Sequence, residues 1–468
     1  MADRAHRSAE AETPVNPYSL LEAVNSSSDT AHTGWLIFLA IMTYLVIAVA
    51  GVTHEALLTE TPVELPILQV KIQLKQFFQF APVVLVLFHL GILAQLVLLA
   101  RKALEFDHAI GFLEVSGKRT HPLRLELHNF FFVQGIAGPQ RSALMNGFLN
   151  IMSWLTIVIL PVVLLLYMQV AFLPYHDVTT TWINRVFLTL DIAGVLLIGV
   201  FLMRAETSFF QAFWRSTAAH PLSVVATTIV LALVAYLSYF AATVPGERLD
   251  TIGRKLTAWS SPADAAKAQQ SGFSLPFIEA DGTLFGVFRR NLVVTDSDLV
   301  GEEGGKTLRL RGRDLRYAKL DRTDLSGADL TGARLDGASL IGANLEKASL
   351  GCAEPDTVML SDDRVAARCV SARNADLTRA RLGHARLWGV DLTGAKLDEA
   401  QLDSADLANA VLTGASLANA RLDKAELTGG VQAQGVNFLN ASLQGADLTG
   451  ARLQLADQIG RASCRERV

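Results

Sequence analysis

A leucine every five residues constrains this chain more than anything else in it. Leu stands at 310, 315, 320, 325, 330, 335, 340, 345 and 350, and resumes at the same interval from Leu377 to Leu427. After a one-residue slip the series returns as Phe438, Leu443, Leu448 and Leu453. Ala stands two positions before most of these residues, and Asp or Asn often stands between, as in Ala328-Asp329-Leu330 and Ala343-Asn344-Leu345. A helical stripe recurs at three and four residues and a flat strand alternates by two, so neither carries this pattern. A period of five means a short strand plus a turn, stacked on copies of itself. The large Leu and the small Ala then point inward together, which makes Leu330, Leu345, Leu392, Leu407 and Phe438 core positions.

The pattern resembles the signature of pentapeptide-repeat proteins. The resemblance implies a right-handed quadrilateral β-helix with four pentapeptides per coil, placed at 301–457. The 24 centres above amount to about six coils. Solenoid ends need caps, and Leu292-Val293-Val294 is the expected capping strand at the end of a linker and cap segment, 245–300. Gly301 to Thr307 (GEEGGKT) imitates a phosphate loop, but it is one residue short and a repeat strand follows it, not a helix. No cofactor is expected. Residues 351–371 interrupt the repeat and contain Cys352 and Cys369, a candidate disulfide. The last ten residues, 459–468 (IGRASCRERV), break the repeat and resemble a translated sequencing adapter, so they and Cys464 are set aside as a probable artefact.

The other half of the chain has a different character. Overall 51% of residues are hydrophobic and only 18% charged, and the long uncharged runs all precede residue 245. A spanning helix needs about 20 mostly apolar residues. Five segments meet or approach this, at 34–52, 78–100, 148–173, 186–203 and 222–243, giving a membrane α-helical bundle over 34–244 behind a polar segment, 1–33. The fourth is the weakest, being short and carrying Asp191. Pro82 and Pro161 lie inside spans, where neighbouring helices can satisfy the freed carbonyls. Lys and Arg concentrate in the 101–147 and 204–221 connections. The positive-inside bias therefore places the N-terminus in the cytoplasm and, with five spans, the repeats on the far side. Loss of the fourth span would reverse that side.

Between the first two spans, Leu68, Val70, Ile72 and Leu74 alternate with Gln69, Lys71, Gln73 and Lys75, a period of two that predicts a strand in a short hairpin. Here Thr53-His54-Glu55-Ala56-Leu57-Leu58 and Val63-Glu64-Leu65-Pro66 resemble a bacterial family of multi-pass pentapeptide-repeat membrane proteins, as does Phe172-Leu173-Pro174-Tyr175-His176-Asp177 with Thr181-Trp182. That resemblance implies an integral protein of the bacterial inner membrane and brings no reaction or ligand with it.

An ionisable group within a span is a candidate site by default. Asp191 and His89 are the two here. Counted from the apolar run at Val186, Asp191 is shallow and His89 deep, so Gln169 is the better-levelled partner for Asp191. Such groups serve either as a proton or ion relay or as interhelical hydrogen bonds that fix packing.

Three functions compete. One is a membrane-anchored scaffold that binds protein partners on the solenoid surface or the 351–371 loop, with lipid around its helices. The second is a transporter or channel-like subunit using Asp191. The third is a DNA mimic acting on topoisomerases, which wants an acidic face. Residues 306–457 hold 19 basic and 20 acidic side chains, so that face is missing and no nucleic acid is expected as partner. The chain has no HExxH, GxSxG or zinc-spaced Cys/His set, so an enzyme is not expected. Cys352 and Cys369, 17 positions apart in one insertion, fit an oxidising periplasm.

Overall fold

The computed structural model describes residues 16–65, 70–114, 119, 121–203, 229–230, 232–252, 283–284, 288–299, 308–352 and 369–454. The chain divides into two compact units. One holds residues 1–51, 75–169 and 182–239, the other 52–74, 170–181 and 240–468.

The first unit is helical. Its described residues contain four helices long and apolar enough to cross a membrane. They are α1 (Pro17–Ala50), α3 (Leu74–Gly111), the run Ala143–Tyr175, and α7 (Val178–Met203). The third is built from α5 (Ala143–Trp154), a π-helical turn (Leu155–Ile159) and α6 (Leu160–Phe172). Most of 204–231 lies outside the described residues, and of the fifth expected span the ten-residue apolar helix Ala232–Ala241 is seen. α1 starts well before its apolar run because Asn16 caps it and Pro17 occupies its first turn. Its polar turns are held by the connection after α3. Asn25 donates to the Glu126 carbonyl at 2.9 Å and accepts from the His128 N–H at 2.8 Å. In that connection Arg124 is buried between Asp107 (2.5 Å) and Glu114 (2.9 Å), so its charge is paired.

The second unit contains α2 (His54–Thr59), the antiparallel hairpin of β1 (Val63–Leu65) and β2 (Val70–Ile72), and the solenoid. The alternation at 68–75 thus yields a shorter strand than expected. Leu74 and Lys75 already belong to α3, whose apolar run takes over the chain.

In the solenoid, bridges join residue i to i+20, as at Arg309↔Asp329 and Asp324↔Asn344. Five residues per unit and 20 per turn make four sides. Leu and Ala at the expected positions are buried from Leu310 to Leu443, with Leu330, Leu345 and Phe438 at 0, 0 and 1% exposure, and Leu448 and Leu453 of the last coil are half-buried. The Asp or Asn between them has a local reason. Its side chain accepts the N–H two residues on, as Asp329 does from Thr331 at 3.1 Å and Asp406 from Ala408 at 3.0 Å, which sets each corner. The structure adds four units that the leucine series does not show, centred on Val294, Leu299, Ala372 and Ala433. With them there are seven rungs on every side, hence seven coils rather than six. At Ala372 and Ala433 the sizes are exchanged, with buried Val370 and Val431 in the usual Ala place. The volume of the layer is thereby kept while the leucine signal is lost.

The one-residue slip and the long insertion occur at the same corner of the stack. Val411 pairs with Gln432, 21 residues on, and Gly429 and Gly430 take up the extra residue with φ of 73° and 96°. On the same face, Arg334 pairs with Ser371, 37 residues on. Cys352 and Cys369, at the base of this insertion, are joined as a disulfide with Cα atoms 3.7 Å apart, about the 3.8 Å step between chain neighbours. The insertion therefore leaves and re-enters the coil like a single added residue.

Candidate functional sites

The chain segments that carried the resemblance converge on the first coils. Thr53 caps α2 by accepting the Ala56 N–H. His54 Nδ1 then accepts the Val293 N–H of the first rung at 3.2 Å. Burial and the nearby Arg289 charge lower the His54 pKa from its ordinary value, which keeps the accepting lone pair free. Arg313, nine-tenths buried, gathers the rest. It donates to Glu60 Oε1 at 2.6 Å and to the Leu57 carbonyl at 3.0 Å, and its guanidinium lies 3.9 Å from the centre of the Tyr175 ring. Tyr175 Oη donates to the same Glu60 oxygen at 2.6 Å.

Next to it, Asp314 is held below the usual carboxylate range. Burial raises it, but the His176 and Arg316 contacts outweigh this. His176 Nδ1 at 3.7 Å is too far for a hydrogen bond, so the two-pronged Arg316 contact, at 2.8 and 2.6 Å, is the stronger cause. Arg290 in turn donates to the Thr243 carbonyl at 2.7 Å and to Asp250 at 2.6 Å. The start of the solenoid is thus built into the loops 52–74 and 170–181 by buried, charge-assisted contacts. Arg313, Glu60 and Tyr175 had no periodic signal to mark them. Arg313, standing two positions before Leu315 where the repeat usually places Ala, was the only hint.

Two of the polar contacts of the helical unit, those of Asn184 and His89, have a common origin. A proline inside a helix offers no N–H to the carbonyl four residues earlier. Pro82 frees Phe78 O, and Asn184 of α7 donates to it at 3.3 Å. Pro161 frees Ile157 O, and His89 Nε2 lies 2.8 Å from it. Gln169 is not opposite Asp191. It pairs with Ser238, donating to its carbonyl and accepting from its hydroxyl, both at 2.8 Å, and Arg185 donates to the same carbonyl at 3.1 Å.

Asp191 meets His89 instead, Oδ1 to Nδ1 at 2.5 Å. The apolar runs misstate their depths, because α7 begins at Val178 and α3 at Leu74, each several residues before its apolar run. From those starts His89 is about 22 Å and Asp191 about 20 Å along, so the two are level.

The exposed surface of the solenoid is a set of side-chain ladders of mixed charge. Rungs pair along the stack, as Arg379 with Glu399 at 2.8 Å and Arg421 with Asp403 at 3.1 Å. Trp388 breaks the polar pattern. It is 46% exposed, and its carbonyl lies 3.6 Å from Cys352 Sγ, so an open indole flanks the base of the insertion. Among the described residues no group of three or more His, Cys, Asp or Glu side chains is placed to hold a metal ion. GEEGGKT lies outside the described residues, as do 253–282 and the tail 455–468.

Comparisons bear on the repeats. No curated protein matches the chain. Among solved structures, it is similar to the pentapeptide-repeat protein Rfr23 of the cyanobacterium Cyanothece 51142, with 27% identity over 29% of this chain and 89% of that one, at a TM-score of 0.22. It is similar to HetL, a pentapeptide-repeat protein involved in heterocyst differentiation regulation in Nostoc, with 24% identity over 41% and 92%, at a TM-score of 0.14. Full-length QnrB1, a plasmid-mediated fluoroquinolone resistance protein, gives 15% identity over 35% and 90%, at a TM-score of 0.18. Eight copies of the family described as pentapeptide repeats match residues 310–350, 375–414, 400–430 and 429–457, so the C-terminal part of the chain is a pentapeptide-repeat solenoid.

Proposed function

We propose that this chain is a membrane-anchored scaffold of the bacterial inner membrane whose right-handed solenoid binds a protein partner. The observation that carries the reading is the root of the solenoid, where Arg313 ties Leu57, Glu60 and Tyr175 to the first coils. A solenoid on a free linker would need none of these contacts. A solenoid held in a fixed register against loops 52–74 and 170–181 needs them all. Trp388 beside the Cys352–Cys369 insertion is the partner-facing patch, since an exposed indole among small and polar neighbours is the type of residue that anchors interfaces.

The same contacts bear on sidedness. Loop 52–74 follows the first span and loop 170–181 the third, and both belong to the unit of the solenoid. They lie across the membrane from the N-terminus. α7 returns the chain to the N-terminal side, so one more crossing is needed before residue 243, where the apolar helix Ala232–Ala241 stands. That favours five spans, a cytoplasmic N-terminus and periplasmic repeats, and an oxidising compartment suits the disulfide.

Affinity capture in mild detergent tests the scaffold, comparing the full chain with Trp388→Ala and with a chain lacking 301–457. A partner kept by the full chain and lost by both variants supports it, and identical partners in all three defeat it. Alkylation of intact spheroplasts with a membrane-impermeant thiol reagent tests the sidedness. Labelling only after reduction is expected. Protection until lysis would place the repeats inside.

A further inference from the structure

The helical unit buries one imidazole against one carboxylate. His89 and Asp191 are both fully buried, and His89 Nδ1 lies 2.5 Å from Asp191 Oδ1. The positions of their hydrogens follow from the partners. Ile157 O, 2.8 Å from Nε2, is a carbonyl and can only accept, so Nε2 carries a hydrogen. Nδ1 and Oδ1 cannot meet lone pair to lone pair at their distance, so a second hydrogen lies between them. It belongs to Nδ1 in an imidazolium–carboxylate pair or to Oδ1 in a neutral one. Both descriptions have the same composition and no net charge.

We propose that His89 and Asp191 form an intramembrane binding site for one proton, which locks α3 to α7. Removing the shared proton leaves a net negative charge in apolar surroundings and sets the Nδ1 lone pair against Oδ1, so the contact opens. The proton passes to water as the pair takes up the negative charge, and rebinding reverses both. Asp191 Oδ2 has no hydrogen-bond partner although it is wholly buried, which leaves a free acceptor at which a proton or water can arrive.

Among the described residues, the groups in contact with the pair add no competing charge. From α1 the Phe38 ring stacks on the imidazole at 5.2 Å. From the π-helical turn comes the carbonyl freed by Pro161. The nearest charged residue along α7, Arg185, donates to Ser238 O and lies over the Trp182 and Tyr239 rings. A merely structural lock would be served as well by an amide, whereas a carboxylate with one oxygen left over can exchange.

Asp191→Asn separates these roles, because an amide N–H can donate to Nδ1 and keep the neutral geometry without a titratable proton. The full chain is reconstituted in lipid vesicles and titrated from acid to alkaline pH, with proton release measured per chain. Wild type should release one proton more than Asp191→Asn, and a carboxyl infrared band should vanish in the variant. Equal release from two folded proteins overturns the proposal. If the variant does not fold, wild type alone decides through ¹⁵N-histidine spectra. A doubly hydrogen-bonded ring signal that shifts with pH supports the site, and one that stays fixed while the protein remains folded overturns it.

Discussion

Excising the insertion is the sharpest test of how the solenoid is built. The ladder offset of 37 residues at Arg334↔Ser371, against 20 in the uninterrupted coils, means 17 surplus residues at this corner. The Cα atoms of Cys352 and Cys369 are 3.7 Å apart, about one peptide step, so residues 353–368 can be removed and the ends joined without moving either. Both cysteines are changed to Ser in this variant. The corner then holds one extra residue, as the corner with Gly429 and Gly430 does in the native chain. The disulfide constrains its ring by about 3 kcal/mol in the chain-entropy model, but that constraint offsets only the closure of the loop being removed. Stability should therefore change by no more than about 1 kcal/mol. Removing 353–370 instead deletes buried Val370 and leaves the corner one residue short. Either the corner strains, or the next coil slips and takes Leu377, Leu382, Leu387 and Leu392 out of the core, at about 1.5–3 kcal/mol each. Urea unfolding in mild detergent, followed by β circular dichroism and protease resistance, compares the two. Equal losses in both variants would refute the single-step geometry.

The remaining predictions concern the core, the root and pH. Leu392, 1% exposed, should cost about 2–5 kcal/mol as Leu392→Ala and more as Leu392→Asp, whereas Gln401→Asp, set between the Arg381 and Arg421 rungs, should be neutral or stabilising in the same unfolding assay. Thr393→Asp is no neutral control despite its outward position, because the Thr393 hydroxyl donates to Asp391 at 2.6 Å and a second carboxylate would repel it. Arg313→Met should cost about 2–4 kcal/mol, chiefly by leaving the buried Leu57 carbonyl without its donor while Glu60 keeps Tyr175 and water, with hydrogen exchange rising first in 54–60 and 172–177. Arg313→Lys should not restore protection, since one ammonium cannot make both contacts and cover the Tyr175 ring. The lowered His54 pKa means that its contribution is complete above the ordinary histidine value of about 6.5 and is lost as pH falls through the folded value. Midpoints of unfolding should drop on mild acidification in wild type and less in His54→Gln, and parallel pH profiles would count against the contact.

How much of the solenoid could be read from sequence depends on how the core volume is divided. Where Leu and Ala take their own places, the five-residue beat is plain and the burial follows it, from Leu330 to Leu427. Where Val370 and Ala372, or Val431 and Ala433, exchange sizes, the layer is still filled but the beat disappears. Val294 and Leu299 were hidden for another reason, since the six residues added between Asp298 and Arg309 throw the first rungs out of phase with the rest. The root of the solenoid was not legible, because Glu60, Tyr175 and Arg313 are far apart in the chain and no periodicity relates them.

In the helical unit the sequence was legible by a rule that hydropathy does not contain. The fourth segment, 186–203, looked like the weakest span because it is short and carries Asp191, and α7 extends it back over Asn184 and Arg185. Each of these answers something on another helix. Asn184 serves the carbonyl freed by Pro82, Arg185 serves Ser238 O in a π-helical turn, and Asp191 holds the histidine that serves the carbonyl freed by Pro161. In lipid an unserved carbonyl costs several kcal/mol, so the two prolines in α3 and α6 demand polar residues elsewhere in the bundle. Low hydropathy in α7 is then the complement of the prolines, not a sign that it fails to span. Subtracting four from each in-helix proline number names Phe78 and Ile157 directly, and asking which polar side chain stands level with each finds Asn184 and His89. If this pairing holds α7 in place, Pro82→Ala should make Asn184 dispensable. Asn184→Leu should then cost about 1–2 kcal/mol in the parent chain, from a buried acceptor losing its donor, and close to nothing in the Pro82→Ala background. Unfolding of the reconstituted chain measures the four corners of this cycle, and additive costs would show that the proline and the asparagine are unrelated.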